Sequence, residues 1–365
     1  MTPYFAMRFG NPGSLHSFGQ EAMGAVDDAR EKIARTFESE FRNVIFCGSA
    51  TEANNLALRG TVNNWKGEKK PRIIISSIEH ESILETARVL EQEKKIELVL
   101  LGVDKNGIVL LNELKKLLTE NTALVSIMCV NNEVGSVQPI KEISTIISDF
   151  RSSLKNNGPH PLFHTDAVQA FSYLDCSVKE LGVDLLTVSA HKCGGPKGIG
   201  VLITSKTITP IITGGGQEFG LRSGTENVPN IVGCTEALLL AEKNRKKEII
   251  RVELLRKNFI IQFLKLFPKS MVNGGGAHSP HIVNIQLNEM NREEFLTQAD
   301  LLGIALSSGS ACSARAHSAS HVLSAMYGGD IKKMNGIRAS FGYGTTAKDI
   351  DGAFKRLDSV FKKEK

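Results

Sequence analysis

Lys192 stands in the stretch SAHKCGGPKGIG, after the apolar run DLLTVSA and before a Gly-Gly-Pro turn. A lysine placed where a buried strand leaves its sheet can be partly desolvated, which lowers its pKa and frees an amine for Schiff-base chemistry. Most lone lysines are simply solvated, and Lys197 fits that role in the same turn. Asp166, in LFHTDAVQA, ends a second apolar run, with His164 before it and Gln169 after it. One helix-and-strand unit separates it from Lys192, so the two strand ends can be neighbours. Aspartate is also a favoured helix N-cap.

Gly48, Ser49 and Thr51, in CGSATEANNLAL, lie between an apolar run and a helix start. Small residues and hydroxyls there form an anion site from free backbone N–H groups and the helix dipole. Ser49-x-x-Glu52 also spells a capping box, and both uses can hold together. The loop lacks the Gly-Lys-Ser/Thr of a nucleotide-binding P-loop. The fourth feature is SSGSACSARAHSAS, residues 307–320, where small and polar residues surround Cys312. Such a stretch cannot build a core and predicts a mobile loop with an exposed thiol, a liability unless it is used. Together with a Schiff-base lysine, Asp166 has a sharper use than capping. An aspartate that keeps a pyridinium nitrogen protonated makes pyridoxal phosphate an effective electron sink.

The elements that must position these groups are legible as alternation. Between about residues 40 and 205, NVIFCGS, RIIISS, IELVLLG, ALVSIMCV, PLFHTDA, DLLTVSA and IGVLIT read as strands. Most are apolar on both faces, as strands buried in a largely parallel sheet are. TEANNLALRGTVNNW, ESILETARVLEQEKK and IKEISTIISDFRSSLKNN read as helices between them. This is an α/β layered domain, in which ligands sit at the carboxyl ends of the strands. Beyond GGGQEFGLRSGTENVPN comes a long helical stretch that charges are expected to break near its middle. HIVNIQL, a helix around REEFLTQAD, the cysteine loop and GIRASFGYG then suggest a smaller α+β domain. The expected boundaries are 15–240 for a large domain and 241–365 for a small C-terminal domain carrying Cys312, with residues 1–14 packed on the small one.

Composition excludes other classes. The 365 residues are 41% hydrophobic, enough for a sizeable core, and the formal charge of +5 comes without a long basic block. Direct nucleic-acid binding and a membrane surface are therefore not implied. Six cysteines (Cys47, Cys129, Cys176, Cys193, Cys234 and Cys312) lack CxxC spacing. That argues against a zinc site or a disulfide framework, so no metal ligands are assigned, and it favours a reducing compartment. With no signal peptide and no apolar run long enough to span a bilayer, the expectation is a soluble cytoplasmic protein.

The order of these motifs resembles the cysteine desulfurases, in the class-V aminotransferase branch of the fold-type I pyridoxal phosphate enzymes. GNPGSLHSFG, GSATEANNLAL, EHESIL, VNNEVGSVQPI, HTDAVQA, SAHKCGGPKGIG, GGGQEFGLRSGTENVP, SSGSACS and IRASFGYGTT carry the resemblance along almost the whole chain. It implies a large domain with a mainly parallel sheet between helices and a smaller C-terminal α+β domain. It implies that Lys192 holds the cofactor, Asp166 pairs with the pyridine nitrogen and Gln169 hydrogen-bonds the phenolic oxygen, with Asn132 near that oxygen. His80 would stack on the cofactor ring and shuttle protons. Ala50, Thr51, Ser189 and His191 would hold the phosphate. Thr225 would reach the phosphate of a partner subunit, which makes the protein a homodimer. Arg338 would clamp the substrate carboxylate, a task suited to a guanidinium fork.

On that reading L-cysteine becomes alanine, and Cys312 takes the sulfur as a persulfide. Arg315, His317 and His321 are cations near that thiol that would favour its thiolate, although solvation alone accounts for Arg315 and His317. The spacing from Cys312 to HVL fits the longer-loop branch. Members of that branch hand sulfur to iron–sulfur scaffold or carrier proteins, and to tRNA thiolation, and in some the cysteine transiently contacts a cluster. Cys193 reads as a small packed residue and not a second nucleophile. The chain begins later than the family pattern, lacking the Asn-Ala-Thr-Thr-Pro type segment that lines the substrate pocket. Two other readings share these motifs: a selenocysteine lyase, and a non-catalytic, N-terminally truncated relative that binds sulfur carriers. Keeping Lys192, Asp166, His80, Cys312 and Arg338 together counts against the second of them.

Overall fold

A computed structural model describes residues 1–154, 159–288, 290–309, 320–330 and 334–361. The chain clusters into two units. The first comprises 1–101, 111–129 and 139–245; the second comprises 102–110, 130–138 and 246–365. Residues 1–14 fall in the first unit.

The first unit carries strands β1 (Val44–Cys47), β2 (Arg72–Ser76), β3 (Glu97–Leu101), β4 (Thr122–Ser126), β5 (Leu162–Asp166), β6 (Leu185–Val188) and β7 (Gly200–Thr204). They form one sheet in the order β1-β7-β6-β5-β4-β2-β3. β7 runs antiparallel to both neighbours and the other pairs are parallel. This is the mostly parallel α/β sheet that the apolar runs predict. Helices α1 (Pro3–Ala6), α2 (Ser17–Thr36), α3 (Ala50–Asn64), α4 (Glu81–Gln92), α5 (Leu111–Leu117), α6 (Ile140–Ser153) and α7 (Val178–Leu181) belong to the same unit. α3 and α4 cover one face. Ala53, Leu56, Ala57, Ile83, Leu84 and Ala87 pack there against the alternate strand residues Ile45, Ile73, Ile75 and Leu124. Each buried leucine or isoleucine there contributes about 1.5–3 kcal/mol.

The free edge of β1 is held by a buried ion pair. Arg30 on α2 meets Glu218 with two short bonds, 2.7 and 2.8 Å, and Glu218 also accepts from the Phe46 N–H at 2.9 Å. A buried edge amide without a partner is costly, so this bond fixes the strand that leads into the Gly48 loop.

α8 (Val228–Leu266) is one continuous helix of 39 residues, not a helix broken at its charges. Its charged middle is built from Glu, Lys and Arg, which are good helix formers. Arg251 and Glu248 pair one turn apart at 2.8 Å. The boundary between the two units falls inside that charged stretch, after Arg245.

The second unit carries β8 (Met271–Asn273), β9 (Ile282–Gln286) and β10 (Gly336–Ser340), an antiparallel sheet in the order β10-β9-β8. α9 (Arg292–Leu301), α10 (His321–Tyr327) and α11 (Ala347–Phe361) complete it. Its core is aromatic: Phe259, Phe263, Phe267, Phe295, Phe354 and Phe361 meet with centroids 5.0–6.3 Å apart, mostly edge to face or tilted. Among the described residues, no helix is long and apolar enough to cross a membrane.

Candidate active site

β5 and β6 are adjacent and parallel, with Asp166 opposite Thr187. The carboxyl ends of these two strands therefore lie side by side, as the strand-end reading expects. After β6, Ser189 leads into a single 3-10 turn, Ala190–Cys193, that carries His191 and Lys192. Gly194 closes the turn at φ +86, a left-handed conformation that glycine adopts without strain. Lys192 is exposed in this chain, so the expected partial desolvation is not met by the turn itself. Lys197 is exposed as well.

Asp166 is 6% exposed. Its Oδ1 accepts from the Val168 N–H at 2.9 Å and its Oδ2 from Asn54 Nδ2 at 2.8 Å. Asn54 is fully buried on α3, and the same amide nitrogen donates to Ser82 Oγ at 2.8 Å. Ser82 Oγ in turn lies 2.9 Å from His80 Nδ1. His80 N-caps α4, its Nδ1 accepting from the Ser82 N–H at 3.1 Å. A backbone N–H cannot reverse its role, so Nδ1 is the acceptor and neutral His80 carries its proton on Nε2. The chain Asp166–Asn54–Ser82–His80 thus ties two expected site residues through two that the motif reading passed over. Gln169 sits three residues beyond Asp166, half-buried in the turn that follows β5.

The loop expected to cradle an anion is built as a cap. Ser49 N-caps α3, its Oγ accepting from the Glu52 N–H at 3.1 Å. The Glu52 carboxylate reaches back to the Gly48 N–H at 2.8 Å and pairs with Arg222 Nε at 2.8 Å. The reciprocal half of the capping box therefore lands one residue early. This arrangement leaves the amides of Ala50 and Thr51 ahead of the first intrahelical bond, Ala53 N–H to Ser49 O at 3.1 Å. A Cβ on Gly200 would lie 2.4 Å from the Ser49 carbonyl carbon, so β7 packs directly under the loop because position 200 has no side chain. Ser189 Oγ donates to Ile199 O at 3.0 Å and lies 2.8 Å from His191 Nδ1. Burial, then the neighbouring Lys192 and Lys197, lower the pKa of His191. Thr225 is exposed and shares a cleft of about 190 Å³ with Gly48, Arg222 and Glu218.

Asn132 and Arg338 fall in the second unit. Arg338, on β10, donates from Nη1 to Asn132 O at 2.7 Å, and its Nε has no partner among the described residues. Burial lowers its pKa while Glu133 opposes that shift; a guanidinium stays charged through such changes. Cys312, Arg315 and His317 lie outside the described residues. His321 opens α10. Cys193 donates to Ala190 O at 3.2 Å, and burial pushes its thiol up to about 12, so it is a protonated packing residue. Burial also pushes Cys234 up to about 12 and holds Cys47 well above the ordinary range.

Two buried groups near the site titrate abnormally, in opposite directions. His164, between Ser126 Oγ (2.8 Å) and Thr187 Oγ1 (3.1 Å), is pushed by burial down to about 3. Glu79, whose Oε1 accepts from Ser76 Oγ at 2.6 Å and the Met128 N–H at 2.7 Å, is pushed by burial up to about 8. An unfolded chain protonates its histidine below about 6.5, so the His164 contribution is present above that pH and lost as pH falls toward 3. The Glu79 contribution is present below about 4.5 and lost as pH rises toward 8. Glu79→Gln, which mimics the protonated acid, is therefore expected to gain stability over wild type as pH rises from 5 to 8, on the order of 4 kcal/mol. Urea unfolding of the cofactor-free proteins at both pH values measures it; equal slopes with pH would disprove the buried neutral acid.

The whole pattern has counterparts among known proteins. The Aminotransferase class-V model matches residues 1–352. "Cysteine desulfurase IscS" of Dictyoglomus turgidum (strain DSM 6724 / Z-1310) is 39% identical over 366 residues, covering 100% of this chain and 90% of that protein. A solved NifS-like protein superimposes with a TM-score of 0.89 at 32% identity, covering 99% of this chain and 94% of that one. The structure described as SspA in complex with cysteine gives 0.77 at 31% identity, covering 93% and 92%. With its mostly parallel seven-stranded sheet and these motifs in order, the chain belongs to the class-V aminotransferase family and, within it, to the cysteine desulfurases.

Proposed function

We propose that this enzyme is a pyridoxal 5'-phosphate-dependent cysteine desulfurase that converts L-cysteine to L-alanine and leaves the sulfur on Cys312 as a persulfide. The observation that carries the reading is the pairing of β5 with β6, which sets Asp166 beside the turn of Lys192, within the same unit as the Ser49–Thr51 cradle. The donor set suits the cofactor: amides and hydroxyls for a phosphate, a carboxylate for a ring nitrogen, and an amine for an aldehyde. When bound, pyridoxal phosphate supplies an electron sink for the carbon skeleton of the substrate.

The chain's own groups do the rest. Asp166, oriented by Asn54 and the Val168 N–H, holds a proton on the ring nitrogen. Ala50, Thr51, Ser189 and His191 bind the phosphate, Gln169 and Asn132 serve the phenolic oxygen, and Lys192 anchors the aldehyde carbon. His80 presents a proton on Nε2, because its Nδ1 is occupied as an acceptor. Arg338 binds the carboxylate of cysteine through donors not used on Asn132 O. The thiolate of Cys312 attacks the substrate sulfur, the S–S bond forms as the C–S bond breaks, and the electron pair and a proton remain with the product, alanine. No outside oxidant enters. Two equivalents of an external thiol then release the sulfur as sulfide and restore Cys312.

Thr225 serves the phosphate of a partner subunit in a homodimer. The physiological acceptor of the persulfide is an iron–sulfur scaffold or sulfur-carrier protein, with tRNA thiolation a further destination, and the setting is the cytoplasm. The test is to give the purified chain pyridoxal phosphate, L-cysteine and a thiol reductant and to measure sulfide and alanine together. Equal amounts are expected. Cofactor binding without either product would overturn the reading.

A further inference from the structure

Glu133, in the motif VNNEVGS, is fully buried in the second unit and has no part in the steps above. Its backbone is fixed on both sides: its N–H donates to Asn131 Oδ1 at 2.9 Å, and its carbonyl accepts from Asn284 Nδ2, on β9, at 3.3 Å. The carboxyl accepts from Ser320 Oγ at 2.6 Å through Oε2, and Oε1 has no hydrogen-bond partner among the described residues. Ser320 is the N-cap of α10, its Oγ also accepting from the Leu323 N–H at 3.1 Å. On the other side stands Gly309, where a Cβ would lie 2.8 Å from Glu133 Oε2 and where φ is +139. The backbone at 309 favours glycine, and a side chain there would displace the Glu133 carboxyl. Ser307, two residues before it, is bridged to Arg338 on β10 in both directions, at 3.1 and 2.6 Å.

One buried carboxyl therefore bonds to Ser320 and occupies the space a side chain at residue 309 would need, and Cys312 lies between these two positions in the sequence. The same strand that bears Arg338 holds the first of these positions. We propose that Glu133 is a positioning residue for sulfur transfer, bonding to Ser320 and lying against Gly309 and thereby fixing two residues that flank Cys312 in the sequence. The proposal rests on the reading of Cys312 as the sulfur acceptor. Its chemistry is a hydrogen bond, Ser320 O–H to Glu133, that helix capping does not require.

That separation gives the test. Ser320→Thr keeps both the cap and the donor. Ser320→Gly costs the cap little and offers no hydrogen to Glu133. In the holoenzyme, Ser320→Gly is expected to lower kcat for alanine release by ~10- to 100-fold, the scale of a misplaced reacting group. KM for L-cysteine should stay within about twofold, since a uniform binding loss is not what is removed. Ser320→Thr should retain wild-type kcat, and the melting temperature should not follow kcat across the series. Wild-type kcat in Ser320→Gly overturns the proposal. So does a loss of kcat that Ser320→Thr shares, or one that tracks the melting temperature. Cys312→Ala is run beside them: if it releases alanine at the wild-type rate, the acceptor reading has failed and not the anchoring by Glu133.

Discussion

Lys192→Ala is expected to purify with no covalently held cofactor and to form alanine from L-cysteine at least ~10³-fold more slowly than wild type, because it removes the anchor. The expectation follows from topology before chemistry. Parallel β5 and β6 put Asp166 opposite Thr187, and β6 ends at Val188. The 3-10 turn then begins after Ser189, so Lys192 stands four residues beyond a strand whose neighbour ends in the carboxylate. Lys197 is the control that separates position from charge. It is exposed like Lys192, lies past Gly194 and Gly195, and its Lys197→Ala variant should keep cofactor and turnover. Borohydride reduction followed by peptide mass spectrometry reads the result: a phosphopyridoxyl adduct on the Lys192 peptide in wild type and in Lys197→Ala. An adduct on any other lysine in wild type would show the anchor to be misassigned.

Why so much of this was legible, and where legibility stopped, depends on whether a signal is local. RIIISS and LFHTDA are buried on both faces and read as strands from composition alone. The neighbourhood of Asp166 and Lys192 needed one further rule, that consecutive parallel strands tend to pair. The charges in α8 read as a break, although Glu, Lys and Arg prolong a helix as well as Leu does. β8, with three residues, is too short to carry a pattern. Asn54, Ser82 and Glu133 were passed over because their partners are distant in sequence. Asn54 did leave a trace, a polar residue one turn before Leu58 on the buried face of α3, and a buried amide must find partners. Ser320 left none, since a serine that opens a helix is already explained by its cap.

Cys312→Ala should hold its cofactor and bind L-cysteine yet release alanine at least ~10³-fold more slowly, a loss of the size expected when a nucleophile is removed. The availability of a thiolate decides which cysteine can serve. Desulfuration at carbon needs a thiolate to take the sulfur, and a thiol held protonated cannot serve. Burial pushes Cys193 and Cys234 up to about 12, and burial also raises Cys47 beyond the ordinary range. Cys176 is raised first by its hydrogen bond with Cys129, then by burial, and Cys129 itself is 2% exposed. Five of the six thiols are thereby poor candidates, including Cys193, which is next to Lys192 in sequence. Cys193→Ala should accordingly turn over within about twofold of wild type, because its thiol only packs and donates to Ala190 O. Alkylation after a single turnover, followed by mass spectrometry, should find one additional sulfur atom on the Cys312 peptide of wild type and of Cys193→Ala. Alanine formed by Cys312→Ala at the wild-type rate would mean that sulfur leaves without an enzyme thiol. The chemistry would then have to be an elimination that yields sulfide and a keto acid, and assaying pyruvate against alanine in that same variant separates the two routes.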